Sequence, residues 1–119
     1  MAGVQMIVPA QARYVRAVRL VAASLAADLG FDVDELDDIR VAVNELCTLF
    51  QPSDGDGSIE LELATDGDGE LLVSGRYQGG GAVAEIDWLV AEILAATADE
   101  VVLPTADSPW FRYVRRHRI

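Results

Sequence analysis

Length, composition and charge already exclude several classes of protein. The chain has 119 residues, a length typical of one domain, and we expect residues 1–119 to form a single domain. Its net charge of −11 argues against a protein that binds nucleic acid or an anionic membrane, because phosphate binding requires an excess of basic residues. No apolar run approaches the roughly twenty residues that span a bilayer, and the N-terminus has no signal pattern. We therefore expect a cytoplasmic protein.

The first predicted elements are a short strand at Val4–Val8 and a helix from about Gln11 to Leu29, ended by Gly30. The apolar side of this helix consists of Val15, Val18, Val21, Ala22, Leu25 and Leu29. Three basic residues lie on the other side of this helix: Arg13, Arg16 and Arg19. This pattern fits either a solvated face or an Arg stripe that binds a partner, and we take the three residues as candidates for partner binding.

The clearest helix signal lies at residues 34–50, which read DELDDIRVAVNELCTLF. Apolar residues recur there at alternating spacings of three and four, which predicts a buried stripe of Leu36, Ile39, Val43, Leu46 and Phe50. We expect Asp34 to be the N-cap and Pro52 to stop the helix. Glu45 lies on the flanking face. A carboxylate at that place faces water, a cleft or a partner.

The single cysteine, Cys47, falls on the buried side of the same helix. One cysteine cannot form an internal disulfide, and no other Cys or cluster of His accompanies it. We expect Cys47 to be a core residue, and we expect no metal site.

The second half of the chain alternates turns and strands. Apolar residues alternate with Glu60 and Glu62, which predicts a strand, and residues 71–77 pair with it across the DGDG turn at residues 66–69. Gln78 and the three glycines after it form a loop, for which a phosphate cradle is the alternative interpretation.

A helix and two strands are predicted to follow. Ile86, Leu89, Val90, Ile93 and Leu94 indicate an amphipathic helix that ends near Ala98, and the strands cover residues 100–103 and 110–116. The arginines of the last segment fit either a solvated edge strand or a contact with an acidic partner. The complete order is strand, helix, helix, hairpin, loop, helix, hairpin. It predicts an α+β fold, a mostly antiparallel sheet with helices packed on one face.

Two segments carry a resemblance to a known family. Residues 34–50 look like a helix with an E-x-x-x-N box, and residues 76–81, RYQGGG, look like a D-x-G-x-G box. Over almost its whole length the chain resembles the anti-sigma-factor serine kinases of the histidine-kinase-like ATPase superfamily. The resemblance implies the sandwich fold of that superfamily with a shortened lid. It also implies a homodimer, and a sigma factor or an anti-sigma antagonist protein as partner.

The departures from the family pattern concern the residues that would handle nucleotide. Glu45 matches the family's general base, but the asparagine that holds magnesium is replaced by Leu49. The aspartate that reads adenine is replaced by Tyr77, ahead of the matching Gly79 and Gly81. An aliphatic side chain cannot ligate a hard cation, and the long ATP lid is missing.

We therefore predict a protein-binding regulator without a cofactor, in which Glu45 is a vestigial general base. The alternative is an active serine kinase that uses Mg-ATP in a rearranged site, with Asn44 in place of the missing ligand. Asn44 and Glu45 point about a hundred degrees apart on a regular helix, so this alternative requires a distorted helix. A nucleic-acid binder that uses the Arg-rich tail is disfavoured by the net charge.

Overall fold

The computed structural model describes residues 2–51 and 56–117. Its strands are β1 Ala2–Pro9, β2 Phe50–Gln51, β3 Ser58–Thr65, β4 Glu70–Gln78, β5 Ala82–Val83, β6 Glu100–Val102 and β7 Trp110–Arg116. Its helices are α1 Ala12–Asp28, α2 Val33–Cys47 and α3 Trp88–Thr97. Five strands form an antiparallel sheet in the order β1-β3-β4-β7-β6, and β2 pairs with β5 in a small second sheet. The predicted α+β fold is confirmed.

The hairpin of β3 and β4 sets the register at the centre of the sheet. Leu63 lies opposite Val73, and both side chains are buried on the face that the helices cover. In the turn, the Asp66 carboxylate accepts hydrogen bonds from the amides of Asp68 and Glu70, at 2.9 and 3.1 Å. The DGDG segment is therefore a turn, as its composition predicts.

Helices α1 and α2 pack against each other and against one face of the sheet. Val18 on α1 and Ile39, Val43 and Leu46 on α2 are fully buried, which confirms the central part of the predicted stripes. Leu36 is only partly buried at the edge of this core. Gly30 ends α1 with φ at +94°, a left-handed conformation that favours glycine.

The predicted end of the second helix was wrong. Helix α2 ends at Cys47 with Thr48 as its C-cap, and Phe50 is in the extended strand β2, opposite Val83. This extended backbone places the Phe50 ring in stacked contact with the rings of Tyr77 and Phe111, at centroid distances of 5.4 and 6.0 Å. Aromatic packing offsets the helical hydrogen bonds that Phe50 would have made. Pro52 lies outside the described residues.

The predicted N-cap of α2 was also wrong by two positions. Asp32 is the N-cap, because its side chain accepts a hydrogen bond of 2.8 Å from the Glu35 amide. The Glu35 side chain in turn accepts one of 3.0 Å from the Asp32 amide, which completes a capping box. Asp34 lies in the first turn, where a negative charge still interacts favourably with the helix dipole.

Strand β7 is an inner strand, so the prediction of a solvated edge strand was wrong. It pairs with β4 on one side and β6 on the other. Its arginines contact carboxylates of this same chain: Arg112 with Glu100 at 2.9 Å, Arg116 with Glu70 at 2.8 Å, and Arg115 with Asp38 at 3.5 Å. The local excess of positive charge is thus neutralised within the molecule. Arg118 lies outside the described residues.

Helix α3 begins two residues later than predicted. Asp87 caps it by accepting a hydrogen bond of 2.8 Å from the Leu89 amide, so Ile86 precedes the helix. Within residues 2–51 and 56–117, no helix has both the length and the apolar content needed to cross a membrane.

Candidate functional site

The side chain of Tyr77 occupies the end of strand β4 beneath the glycine loop. It is buried, its ring stacks on Phe50, and its hydroxyl accepts a hydrogen bond of 3.0 Å from the Gly81 amide. The predicted nucleotide-binding residues Tyr77 and Gly81 are therefore brought together by a direct bond between them. This bond uses a backbone donor that a phosphate or base would otherwise need.

Gly79 and Gly57 are required by the position of this phenol. A Cβ atom at Gly79 would lie 2.6 Å from the Tyr77 hydroxyl oxygen, and one at Gly57 would lie 2.7 Å from the Tyr77 ring. Neither distance is possible for a real side chain, so only glycine fits while Tyr77 stays in place. The glycines at these positions make room for a side chain of this protein.

Leu49 is buried next to the same region. It follows the C-cap of α2, and its carbonyl accepts a hydrogen bond of 2.8 Å from the Ala84 amide while its side chain joins the core. The side chain offers no oxygen to a cation. In the described part of the chain, no cluster of three or more His, Cys, Asp or Glu side chains could hold a metal ion.

Glu45 is half-buried in a different place, a cleft between α2 and α3. The cleft has a volume of about 230 Å³ and is lined by Asp38, Val41, Ala42, Glu45, Val90, Ile93, Leu94 and Thr97. Leu49, Tyr77, Gly79 and Gly81 do not line this cleft. Pockets for cofactors and drug-sized ligands typically measure about 300–1,000 Å³, which is larger than this cleft.

Asn44 is engaged on the other side of α2. Its side-chain oxygen accepts a hydrogen bond of 3.2 Å from Arg19 of α1, and α2 is continuous through this position. Asn44 also does not line the Glu45 cleft. The helix distortion that would let Asn44 replace the missing magnesium ligand is therefore absent from the described helix.

The three residues of the predicted Arg stripe on α1 differ in their exposure and contacts. Arg19 is partly buried, whereas Arg13 and Arg16 are exposed, and the Arg13 guanidinium lies 5.2 Å from the centre of the Tyr14 ring. Arg13 and Arg16 remain available to a partner. Arg19 donates to Asn44 of α2, and its role in partner binding stays a prediction.

An exposed apolar surface on α3 was missed by the sequence analysis. Trp88, Leu89 and Ile93 are 75, 54 and 50% exposed, and Val41 across the cleft is 56% exposed. The signal was present in the sequence: α3 reads WLVAEILAAT, with a single charged residue and apolar residues on every side. A helix of that composition is normally covered on all sides.

Cys47 is buried in the core, as predicted. Burial raises the pKa of its thiol to about 12, because the thiolate cannot be hydrated there. A thiol in this state is a poor nucleophile. Cys47 therefore has a structural role.

Comparison with known proteins decides the family. The model of the histidine kinase-like ATPase domain matches residues 8–74, which are 67 of the 119 residues. The chain belongs to the histidine kinase-like ATPase domain family. The match includes Glu45 and Leu49 on and after α2, and it ends before Tyr77 and the glycine loop.

Curated relatives of this histidine kinase-like ATPase domain are serine-protein kinases. The chain is 42% identical over 45 residues to the serine-protein kinase RsbW of Bacillus subtilis (strain 168). It is 40% identical over 45 residues to the RsbW proteins of Bacillus thuringiensis (strain Al Hakam) and Bacillus mycoides (strain KBAB4). The matched segment is 38% of this chain, and the chain covers 28% of the length of these relatives.

Proposed function

We propose that this protein is a protein-binding regulator of the anti-sigma type, in which the family's nucleotide site is degenerate. The observation that carries the proposal is the hydrogen bond from the Gly81 amide to the Tyr77 hydroxyl. The glycine loop closes over a buried phenol of the same chain, and the family resemblance aligns this phenol with the adenine-reading aspartate. In this proposal Glu45 is a vestigial general base.

The expected loss of Mg-ATP affinity follows from the sum of several changes. A charge-assisted hydrogen bond to adenine contributes about 1.5–3 kcal/mol, and the Tyr77 hydroxyl already accepts a bond from Gly81. Leu49 removes a direct ligand of the cation. If a competent site binds with a Kd near 1 μM, or about −8 kcal/mol, a loss of about 4 kcal/mol leaves millimolar affinity.

Calorimetric titration with Mg-ATP tests this part of the proposal. We expect no saturable heat at micromolar nucleotide, and we expect a few millimolar Mg-ATP to raise the unfolding midpoint by about a degree. The variant Glu45→Ala should behave like the parent protein. Micromolar binding that Glu45→Ala abolishes would contradict the proposal and favour the kinase.

The second candidate function is an active ATP-dependent serine kinase. The retained Glu45 and the names of the curated relatives favour it. Incubation with radiolabelled ATP and a co-purified partner protein separates the two candidates, because a kinase transfers label to a partner serine. We expect no label on the partner, with or without Glu45→Ala.

The same proposal includes the partner, which is a sigma factor or an anti-sigma antagonist protein. Binding takes place in the cytoplasm, and this chain acts as a homodimer. Arg13 and Arg16 are exposed and are candidates for the partner contact. Reversal of both to Glu should weaken binding of the partner at least tenfold while the unfolding midpoint stays nearly unchanged, since exposed charges contribute little to stability. The control is Arg76→Glu, an exposed arginine on the opposite face of the sheet. Equal binding of the partner by both variants would contradict a contact between the partner and the exposed arginines of α1.

The homodimer is tested separately. Light scattering at micromolar concentration should give twice the mass of one chain. A monomer over the whole concentration range would contradict this part of the proposal without affecting the nucleotide titration.

A further inference from the structure

Helix α3 has two apolar sides, and only one of them is covered. Leu94 is fully buried, and Val90 packs against the same core. Trp88, Leu89 and Ile93 point away from that core and are at least half exposed. Burying large apolar side chains is the main favourable term in association, so this side of α3 is suited to a partner.

The exposed apolar side continues across the cleft onto α2. Val41 and Ile93 both line the cleft, together with the carboxylate-bearing residues Asp38 and Glu45. We use the name α2–α3 surface for Val41, Trp88, Leu89 and Ile93 with the carboxylates of Asp38, Glu45 and Glu92. It is an apolar strip across two helices with acidic groups along its margins.

Most of the charges near this surface are acidic, although its Asp38 carboxylate contacts Arg115 at 3.5 Å. Residues 82–103 contain no Arg and no Lys, whereas their acidic residues are Glu85, Asp87, Glu92, Asp99 and Glu100. On α2 the one basic residue, Arg40, is paired with Asp37 at 2.8 Å. Glu45, Glu85 and Glu92 form no ion pair within the part of the chain that the structure describes. The potential at the α2–α3 surface therefore attracts a positively charged partner.

We propose that the α2–α3 surface docks an amphipathic helical segment of a partner protein, with apolar anchors three and four residues apart and Arg or Lys beside them. Grooves between helices commonly bind helices of this type, and complementary charge sets their choice of partner. This inference rests on the protein-binding role proposed above. It adds the surface at which the partner binds and the kind of segment that the surface recognises.

Other occupants fit this surface less well. An anionic lipid surface would be repelled by the carboxylates. A second copy of the chain placed symmetrically would bring one acidic surface against another, where like charges repel. A nucleotide would meet the same repulsion.

Trp88 provides a reporter for the docking. The chain has two tryptophans, and Trp110 donates a hydrogen bond of 2.9 Å to the Ser108 hydroxyl away from this surface. In the variant Trp110→Phe, emission comes from Trp88 alone, and a docked segment should shift it to shorter wavelength. The variant Trp88→Phe should show no such shift with the same ligand.

The probe is a displayed library of random 16-residue peptides, selected on the full chain and counter-selected on Leu89→Ser. The matched control is Leu20→Ser, because Leu20 is an exposed leucine of similar accessibility on α1. We expect the enriched peptides to carry apolar residues at helical spacing and an excess of Arg and Lys. Synthetic copies should shift Trp88 emission, bind at least tenfold more weakly to Leu89→Ser, and bind Leu20→Ser like the parent.

Three results would overturn the inference: no enrichment over Leu89→Ser, enriched peptides without a basic excess, or equal weakening by Leu20→Ser. Self-association of the free chain that Leu89→Ser abolishes would also overturn it, because the occupant would then be a second copy. None of these results changes the outcome of the Mg-ATP titration, so failure of this inference is distinguishable from failure of the degenerate-site proposal.

Discussion

The Tyr77 hydroxyl and the Gly81 amide are joined by a hydrogen bond of 3.0 Å across the glycine loop. The same phenol stacks on Phe50, which connects the loop to the centre of the core. The glycine loop is therefore held closed by a side chain of the core.

Removing the hydroxyl tests the contribution of this bond. Tyr77→Phe keeps the ring stacking and should lower the free energy of unfolding by about 0.5–1.5 kcal/mol, the usual net value of one hydrogen bond. Urea denaturation measures the change, and amide exchange at Gly81 should become faster. Tyr14→Phe, in a half-exposed ring on α1, serves as the control and should leave both quantities unchanged.

Truncation of Leu46 tests the packing of α2 on the sheet. Leu46 is fully buried, so Leu46→Ala should lower the free energy of unfolding by about 2–5 kcal/mol through lost burial and a cavity. Leu89→Ala changes the same side chain at an exposed position and should cost at most about 0.5 kcal/mol. Similar losses for the two variants would contradict the observed burial.

Two aspartates at the N-terminus of α2, Asp32 and Asp34, should contribute differently to stability. Asp32→Ala removes the carboxylate that accepts from the Glu35 amide but keeps the backbone amide that donates to Glu35, and it should cost about 0.5–2 kcal/mol. Asp34→Ala removes only a charge near the helix dipole, which is worth about 0.3–1 kcal/mol. Thermal unfolding of the two variants should rank Asp32→Ala as the less stable, and the reverse ranking would assign the cap to Asp34.

The pKa of Cys47 predicts how stability depends on pH. The folded pKa of about 12 lies above the ordinary value of 9.0, so the unfolded chain releases the thiol proton first as pH rises. The stabilisation is fully present below pH 9 and is lost between pH 9 and about 12, by about 1.4 kcal/mol per pH unit.

Urea denaturation at pH 8.5 and 10 measures this slope. Cys47→Ala should be less stable at both values but should lose less stability between them. Burial also raises the pKa of Tyr113, so comparison with the variant isolates the thiol. An equal loss in both proteins would refute the assignment to Cys47.

Much of the fold was predictable because it follows from the local periodicity of apolar residues. The alternation around Glu60 and Glu62 and the three-and-four spacing around Val43 each describe a surface with one buried side. The N-cap could not be assigned from composition alone, because Asp34 has the same capping chemistry as Asp32 and lies only two residues away. Strands as short as β2 and β5 have no period and could not be predicted.

The site was predictable only in part. The sequence pattern placed Glu45 on the second helix and Tyr77 on its strand, whereas Leu49 was predicted within that helix and lies beyond its C-cap. The bond between Arg19 and Asn44 depends on how α1 crosses α2, and the bond between Tyr77 and Gly81 depends on a side-chain rotamer inside the core. The inner position of β7 depends on strand order. None of these long-range relationships has a sequence pattern of its own.

The strand order also predicts which strands pair first during folding. Among the strands that the structure describes, only the β3–β4 and β6–β7 pairings join neighbours in the chain, whereas β1 reaches β3 across both α1 and α2, and β4 reaches β7 across α3. Long loops must close before those distant pairings stabilise anything, which slows folding. We expect the β3–β4 hairpin to form before β1 joins it. Truncating Leu63 should then mainly slow refolding in stopped-flow experiments, whereas truncating Val8 on β1 should mainly accelerate unfolding.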